Sequence, residues 1–264
     1  MAFRSHEVLP DIFHIEDSLD VCMTLIRGTT RSLLIDTGYG FEDIKSYVST
    51  LTPNPVTVLL THGHYDHAMG ARYFENVFLT EPEFPIYRTY TGEKWRRHIL
   101  QEAREAGLSV DEEACLSAQM ATPHLINDEE IYLGGLTARV ICCPGHTPGS
   151  LVVYVPERRL LLTGDDWNPC TWAFFPEALD AVSFRQNMRR LIENIPFRHV
   201  LCSHETTLFP REMPEAFFES LTDECLENAK SVDTGAYPGI RTAEAALPMD
   251  QVFVFDVDKF MIRK

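Results

Sequence analysis

One short segment of this 264-residue chain concentrates side chains that can bind metal ions. Residues 61–67 read THGHYDH, so three histidines and an aspartate follow one another almost without interruption. Imidazoles and a carboxylate crowded into one turn are costly to bury unpaired, and a bound cation offsets that cost. The segment therefore predicts a metal site.

Four short apolar runs lead into this segment and into further polar side chains. Each run is rich in Val, Ile and Leu and is closed by polar, Gly or Pro residues, as expected of a strand buried on both faces. Because ligands in α/β proteins gather beyond the carboxyl ends of strands, we expect the four ends to share one rim. The runs and the residues that follow them are 56–60 with His62, 138–143 with His146, 160–162 with Asp165, and 200–202 with His204.

These motifs, taken in order, resemble the metallo-β-lactamase-fold hydrolases, with glyoxalase II and the bacterial lactonases among the nearer branches. The likeness spans about residues 20–205, and its most specific part is HGHYDH at 62–67. The other matching motifs are LIDTG at 34–38, GHTPGS at 145–150, TGD at 163–165 and SH at 203–204.

The resemblance implies seven ligands divided between two metal ions. Imidazole and carboxylate ligands suit zinc, and also iron or manganese, and we predict two zinc ions. Asp166 stays an alternative to its neighbour Asp165, because both follow the Gly164 turn. The implied ligands are His62, His64 and His146 for one ion, Asp66, His67 and His204 for the other, and Asp165 as the bridge between them.

Two metal ions in one site predict hydrolysis. A water molecule that bridges them loses much of its proton affinity, so a hydroxide nucleophile becomes available near neutral pH. Asp66 is the predicted catalytic residue, because it would anchor the second ion and orient this hydroxide through a hydrogen bond. No general acid for the leaving group can be identified from the sequence.

Two further polar residues have open roles. Asp36, in the turn before Gly38, could cap a helix or could orient a ligand histidine through its other ring nitrogen. Thr147 is open in the same way, as a turn residue or as a support for the ligands.

The aromatic residues next to the ligands are candidates for substrate contacts. Tyr65, Trp167 and Trp172 would favour an organic acyl group if they wall the site, although they could equally belong to the core. A basic cluster at 88–97 could receive an anionic group or could be a solvated helix face.

Charge and motif departures narrow the substrate class. The formal net charge of -16 repels polyanions, so a nucleic-acid substrate is disfavoured and a small molecule is expected. The β-lactamases proper carry cysteine or serine near the position of Asp165, which argues against antibiotic hydrolysis.

The pattern of elements predicts an α/β or α+β protein, and the resemblance implies an α+β four-layer αββα sandwich of two mixed sheets between helices. We expect one domain over 1–264 with a helical insertion at about 83–122, which would be a lid, a pocket wall or a homodimer contact. Strands are predicted between Ile12 and Ile35, a helix through Ile44 and Leu51, a helix opened by a capping box at Ser183, and a final strand at 252–262.

The sequence also gives expectations for the compartment. It contains no apolar stretch long enough to span a membrane and no signal-peptide pattern at its start, which predicts a soluble cytoplasmic protein. Seven cysteines without a paired spacing fit a reducing compartment, and Cys142, Cys143 and Cys202 are expected inside buried strands.

Three functions remain as hypotheses. The leading one is a dinuclear hydrolase of a small ester, thioester or lactone. A phosphodiesterase or phosphonate hydrolase is the enzymatic alternative, because a bridging carboxylate suits phosphoryl chemistry as well. A metal-binding scaffold without activity is the third.

Overall fold

The computed structural model describes residues 3–261, in which the strands form a seven-stranded, a six-stranded and a four-stranded sheet. The strands are β1 (Arg4–Leu9), β2 (Ile12–Glu16), β3 (Cys22–Arg27), β4 (Ser32–Ile35), β5 (Val56–Leu59), β6 (Val77–Leu79), β7 (His124–Leu125), β8 (Glu129–Tyr132), β9 (Thr137–Cys142), β10 (Leu151–Val155), β11 (Leu160–Leu162), β12 (Cys170–Ala173), β13 (His199–Leu201), β14 (Phe209–Pro210), β15 (Lys230–Val232), β16 (Thr242–Leu247) and β17 (Gln251–Asp256). The helices are α1 (Ile44–Leu51), α2 (Tyr65–Ala68), α3 (Phe84–Tyr90), α4 (Glu93–Glu105), α5 (Glu112–Leu116), α6 (Ala181–Asn194), α7 (Glu212–Ser220), α8 (Asp223–Glu227) and α9 (Val257–Met261), with 3₁₀ turns at Met69–Tyr73, Glu81–Glu83 and Pro156–Arg158.

Both larger sheets are mixed. The first has the order β1-β2-β3-β4-β5-β6-β7 and changes from antiparallel to parallel pairing at β4. The second has the order β14-β13-β11-β10-β9-β8, in which only β11 and β13 pair in parallel. A smaller third sheet, β12-β17-β16-β15, joins β12 to the C-terminal strands.

Strand periodicity divides the core into layers. Leu33 on β4 and Val153 on β10 belong to one apolar cluster between the two larger sheets. Their neighbours point the other way: Leu34 packs in a cluster with α1, and Val152 packs in a cluster with α6. Because adjacent strand residues face opposite sides, each sheet buries both faces and must be covered by helices outside. The predicted helix-sheet-sheet-helix sandwich is confirmed.

The strands that end at the candidate ligands share one edge. Since β9 and β11 each run antiparallel to β10, and β11 runs parallel to β13, the carboxyl ends of these three strands lie together. The end of β5 in the first sheet meets them, since the Leu151 amide that opens β10 donates to Thr61 O at 3.0 Å. The strands predicted between Ile12 and Ile35 are present as β2, β3 and β4.

Two predicted element boundaries are wrong. The helix expected to begin with a capping box at Ser183 begins at Ala181, because Asp180 accepts hydrogen bonds from the amides of Val182 and Ser183 and already caps it. The final strand predicted at 252–262 ends at Asp256, whose side chain accepts from two following amides and starts α9. Residue 262 lies outside the described residues.

The predicted burial of β9 is also partly wrong. Cys143 and Cys202 are buried as expected but follow the ends of β9 and β13, and Cys142, the last residue of β9, is exposed. β9 pairs with the edge strand β8, and its burial pattern alternates, so one of its faces is incompletely covered. The segment predicted to be helical at about 83–122 contains α3, α4 and the short α5. Among residues 3–261, no helix is both long and apolar enough to cross a membrane.

Candidate metal centre

The seven predicted ligands lie together in two adjacent groups. In each group the candidate ligand atoms all lie within 4.8 Å of one another. The first group is His62, His64 and His146, and the second is Asp66, His67, Asp165 and His204.

The THGHYDH segment reaches this position through a bend followed by one helical turn. After β5 the chain bends at residues 61–62, and the carbonyl of His64 then accepts from the amides of His67 and Ala68 and opens α2. A Cβ on Gly63 would lie 2.5 Å from the Tyr87 amide nitrogen, so only glycine permits this close backbone approach.

In the first group, each histidine presents one ring nitrogen to the others and has a partner for the second. His64 Nδ1 lies 3.0 Å from both His62 Nε2 and His146 Nε2. The second ring nitrogen of His62 contacts Thr61 Oγ1 at 3.0 Å, and that of His64 contacts Glu177 Oε1 at 2.8 Å. The second nitrogen of His146 contacts Trp172 O at 2.8 Å. The rings are thus oriented with three nitrogens converging on one point.

Asp165 lies between the two groups. Its Oδ2 is 3.1 Å from His204 Nε2, 3.4 Å from His67 Nε2 and 3.7 Å from His146 Nε2. Asp166, the alternative left open by the sequence, belongs to neither group, and its Oδ1 accepts from the His146 amide at 3.0 Å. Asp165 therefore lies within 3.7 Å of imidazole nitrogens from both groups.

Asp36 contacts one of the candidate ligands directly. Its Oδ2 lies 3.0 Å from His67 Nδ1 and accepts from Thr61 Oγ1 at 2.8 Å, while Oδ1 accepts from the Thr61 amide at 2.7 Å. Asp36 has φ of 62°, a left-handed conformation that aspartate tolerates better than most residues. The helix that follows, α1, is capped by Asp43, so of the two roles considered for Asp36 the contacts favour orientation of His67.

Thr147 lies in the turn that carries His146. Its hydroxyl contacts Ser150 Oγ at 2.7 Å, and its carbonyl accepts from the Gly145 amide at 3.0 Å. These contacts shape the turn and fit the first of its two predicted roles.

The charges of the site differ between the groups. Burial and the neighbouring histidines hold the pKa of His62 well below its usual range, and burial lowers the pKa of His146 to about 4, so both rings are neutral. Burial would also lower the pKa of His67, but the carboxylates of Asp165, Asp66 and Asp36 outweigh it and raise the pKa well above the usual value. Neutral His62 and His146 can coordinate a metal ion, and the carboxylates around His67 make the second group negative, which favours a cation.

Two buried polar atoms indicate that the donor set fits metal ions. Within residues 3–261, five buried side-chain atoms have no hydrogen-bond partner, and two of them, His67 Nε2 and Asp165 Oδ1, belong to the candidate ligands. Buried polar atoms are almost always paired, so these atoms are candidates for coordination. Imidazole nitrogens and carboxylate oxygens in groups of three and four are the ligands expected for a divalent transition metal.

Two buried acids support the site and were not predicted. Glu83 accepts from the amides of Gly63 and Gly149, each at 2.8 Å, and so ties together the loops that carry the first-group histidines. Burial raises the pKa of Glu83. Glu177 contacts His64 as described above. Neither acid stands in a motif, so the sequence offered no signal for them.

A cavity of about 870 Å³ opens onto the candidate ligands. Tyr65 and Trp172 line it, as predicted for substrate contacts, but Trp167 does not. The Trp167 indole is fully buried in the core and donates to Gln251 Oε1 at 3.2 Å, because its side chain points away from the rim. The helical segment also contributes, through side chains of α3 and α4 that include Tyr90 and Trp95.

The basic cluster of the sequence divides between the cavity and other contacts. Lys94 lines the cavity. Arg96 donates to three backbone carbonyls, those of Thr91, Leu116 and Ala118, and Arg97 pairs with Glu93. Both of these arginines are thus used locally and Arg88 does not line the cavity, so Lys94 is the member of the cluster placed to meet an anionic group.

The family follows from this geometry together with one comparison. A family model described as the metallo-beta-lactamase superfamily matches residues 19–165, more than half of the chain and most of the ligand motifs. The chain belongs to this superfamily. It is a metallo-beta-lactamase superfamily hydrolase, as the motifs predict.

Relatives and solved structures agree with this assignment. The acyl-coenzyme A thioesterase MBLAC2 of Gallus gallus is 25% identical over 197 residues, which are 68% of this chain and 70% of the relative. The metallo-beta-lactamase family protein TTHA1429 from Thermus thermophilus matches with a TM-score of 0.59 and 21% identity, over 81% of this chain and 80% of that chain. The sec-alkylsulfatase Pisa1 from a Pseudomonas species matches with a TM-score of 0.63 and 18% identity over 83% of this chain, which spans only 40% of the sulfatase chain. The two structural likenesses concern the fold alone.

Proposed function

We propose that this metallo-beta-lactamase superfamily member is a dinuclear metal-dependent hydrolase of a small ester, thioester or lactone, with a thioester as the first candidate. The observation that carries the proposal is the place of Asp165, whose carboxylate lies within 3.7 Å of ligand nitrogens from both groups. The name of the thioesterase relative supports the choice of thioester. Zinc is the proposed metal, and iron and manganese would suit the same ligands.

The residues would divide the work between the two ions and the water. His62, His64 and His146 would hold one ion, His67 and His204 the other, and Asp165 both. Metal ions in such a site supply an activated water molecule and polarise the carbonyl that is attacked. Asp66, which lies 3.5 Å from His67 Nε2 and 3.7 Å from His204 Nε2, would hold the second ion and accept a hydrogen bond that orients the water.

The cavity walls favour an acyl substrate over a polyanion. Its aromatic side chains offer apolar surface, and its charged groups beyond the candidate ligands are mainly the carboxylates of Glu102 and Glu205, with Lys94 as a single ammonium. We propose that Tyr65 and Trp172 contact the substrate and that the helical segment at 83–122 forms a wall of its pocket. One ammonium could pair with one carboxylate of a substrate, whereas a nucleic-acid polyanion would meet repulsion.

A substrate screen of the zinc-loaded protein tests this function. We expect turnover of an acyl thioester, a p-nitrophenyl ester or a lactone, and loss of that turnover when a chelator removes the metal. Turnover of bis-p-nitrophenyl phosphate alone would replace the proposal with the phosphodiesterase alternative. Bound zinc without turnover of any of these compounds would instead support a scaffold without activity.

Replacement of Trp172 tests the pocket wall. The Trp172→Ala variant should raise KM for the best acyl substrate about tenfold, because losing about 1.5 kcal/mol of apolar contact corresponds to that factor. Zinc content should not change, since the contact with His146 comes from the Trp172 backbone carbonyl. Tyr132→Ala, which also removes an exposed aromatic ring but lies on β8, is the control. Equal KM values for the two variants would remove Trp172 from the pocket.

A further inference from the structure

One segment contacts two of the three histidines in the first group. In residues 172–178, the carbonyl of Trp172 accepts from His146 Nδ1 at 2.8 Å, and Glu177 Oε1 lies 2.8 Å from His64 Nε2. Between these contacts, the Phe175 ring packs on both histidines with centroid distances of 4.8 Å. The orientation of the first group therefore depends on how this segment is held.

Glu177 determines which nitrogen of His64 carries the proton. A carboxylate can only accept, so His64 must donate its Nε2–H to Glu177, and Nδ1, which faces His62 and His146, is the nitrogen that can bind a metal. Only 17% of the Glu177 side chain is exposed, so this contact is largely shielded from competing water.

Lys259 holds the turn that carries Glu177. Its ammonium donates to Phe175 O at 2.8 Å, Pro176 O at 3.0 Å and Ala178 O at 2.6 Å. A lysine has three N–H donors, and all three have a carbonyl partner within this one turn. Such a set of contacts fixes the backbone on both sides of Glu177.

The third sheet brings Lys259 to this turn. β12, which leads into the segment, pairs in parallel with β17, and α9 follows β17 directly. Asp256 accepts from the amides of Asp258 and Lys259 and so sets the start of α9. α9 thus supplies no candidate ligand, but its Lys259 contacts the backbone of the turn that carries Glu177.

We propose that Glu177 is a positioning residue for His64 and that Lys259 acts through it by fixing the turn at 175–178. This inference rests on the proposed ligand set, in which His64 binds a metal ion. Neither residue is assigned a contact with substrate.

Zinc affinity, measured by competition with a chromophoric chelator, tests the role of Glu177. Glu177→Met keeps the length of the side chain but removes the acceptor, and we expect it to weaken zinc binding about tenfold, the lower end for partners of metal-bound histidines. Glu177→Gln retains an oxygen that can accept from His64 and should recover most of the affinity. Wild-type affinity in Glu177→Met would overturn the role, as would an equal loss in the two variants.

A double-mutant cycle tests whether Lys259 acts through Glu177. Lys259→Met should weaken zinc binding about fivefold, less than the loss of a direct partner. In the Glu177→Met background the same change should add nothing further, because the contact that it supports is already absent. An undiminished fivefold loss in that background would overturn the linkage.

Three additional variants separate this inference from folding effects and from the proposed ligand set. Lys45→Met removes an exposed lysine on α1 and should retain wild-type affinity. Lys259→Arg keeps a charged donor at the turn, so it should fold even if Lys259→Met does not, and its zinc affinity should be intermediate. Wild-type zinc affinity in both Lys259→Arg and folded Lys259→Met would overturn the role of Lys259. His64→Ala should lose the first-group site, and unchanged zinc binding there would overturn the ligand set and with it this inference.

Discussion

Asp165→Asn should abolish both the second equivalent of zinc and nearly all hydrolytic activity. The substitution removes the negative charge that lies between the two groups of ligands, and its amide nitrogen cannot coordinate a cation. If several kcal/mol of transition-state stabilisation depend on the metal pair, the rate should fall by about 10³-fold or more. Zinc content by elemental analysis and kcat for the best acyl substrate would be measured on the same preparation.

Asp166→Asn is the matched control for this experiment. Asp166 is the next residue, is buried to a similar degree and belongs to neither group. Its one contact with the site, acceptance of the His146 amide by Oδ1, can be kept by asparagine. We expect near-normal zinc content, whereas the opposite pattern, in which Asp166→Asn loses zinc and Asp165→Asn keeps it, would show that the wrong carboxylate has been chosen.

Asp36→Ala should have the second largest effect, about a 100-fold loss in zinc affinity, the upper end for a partner of a metal-bound histidine. It would leave His67 Nδ1, the Thr61 amide and the Thr61 hydroxyl without their acceptor in a fully buried place. Each unpaired buried group costs about 1–3 kcal/mol, so the free energy of unfolding should fall as well. Zinc competition and urea unfolding of the metal-free protein would measure the two effects separately.

Asp36→Asn distinguishes the metal effect from the folding effect. Asparagine tolerates the left-handed backbone at this position, where φ is 62°, and it keeps one acceptor oxygen. Its neutral amide no longer stabilises a donor on His67 as a carboxylate does. We expect about a tenfold loss of zinc affinity with a smaller loss of stability than in the alanine variant. If zinc binding were unaffected, Asp36 would be a residue of the turn only.

The candidate ligands could be found from sequence because they are locally concentrated and lie at strand ends. Four of them fall within 62–67, and the others each follow a Val-, Ile- or Leu-rich run whose period identifies a strand. Carboxyl ends of parallel strands meet at one edge by backbone geometry alone, so convergence could be inferred without knowing the loops. The four-layer order came from the resemblance and is confirmed by the alternation of side chains between layers.

Local pattern was insufficient where neighbouring residues compete for the same role. Ser183 has a capping-box sequence, but Asp180 lies three residues earlier and takes the amides first. Trp167 and Trp172 both follow Asp165, yet one enters the core and the other lines the cavity. The direction of each side chain is set by the path of the loop into β12, which the sequence does not specify.

The sequence by itself thus predicted the ligand set, the strands that end beside these ligands and the hydrolase family. The tertiary structure alone decided what orients those ligands: Glu83 joins two loops that are separate in sequence, Glu177 contacts His64 across 113 positions, and Lys259 holds the turn of Glu177 from the last helix. The physical reason is that a supporting contact needs only one suitable donor or acceptor at the right place. A single Glu or Lys carries no spacing or periodicity, and so nothing but packing identifies its partner.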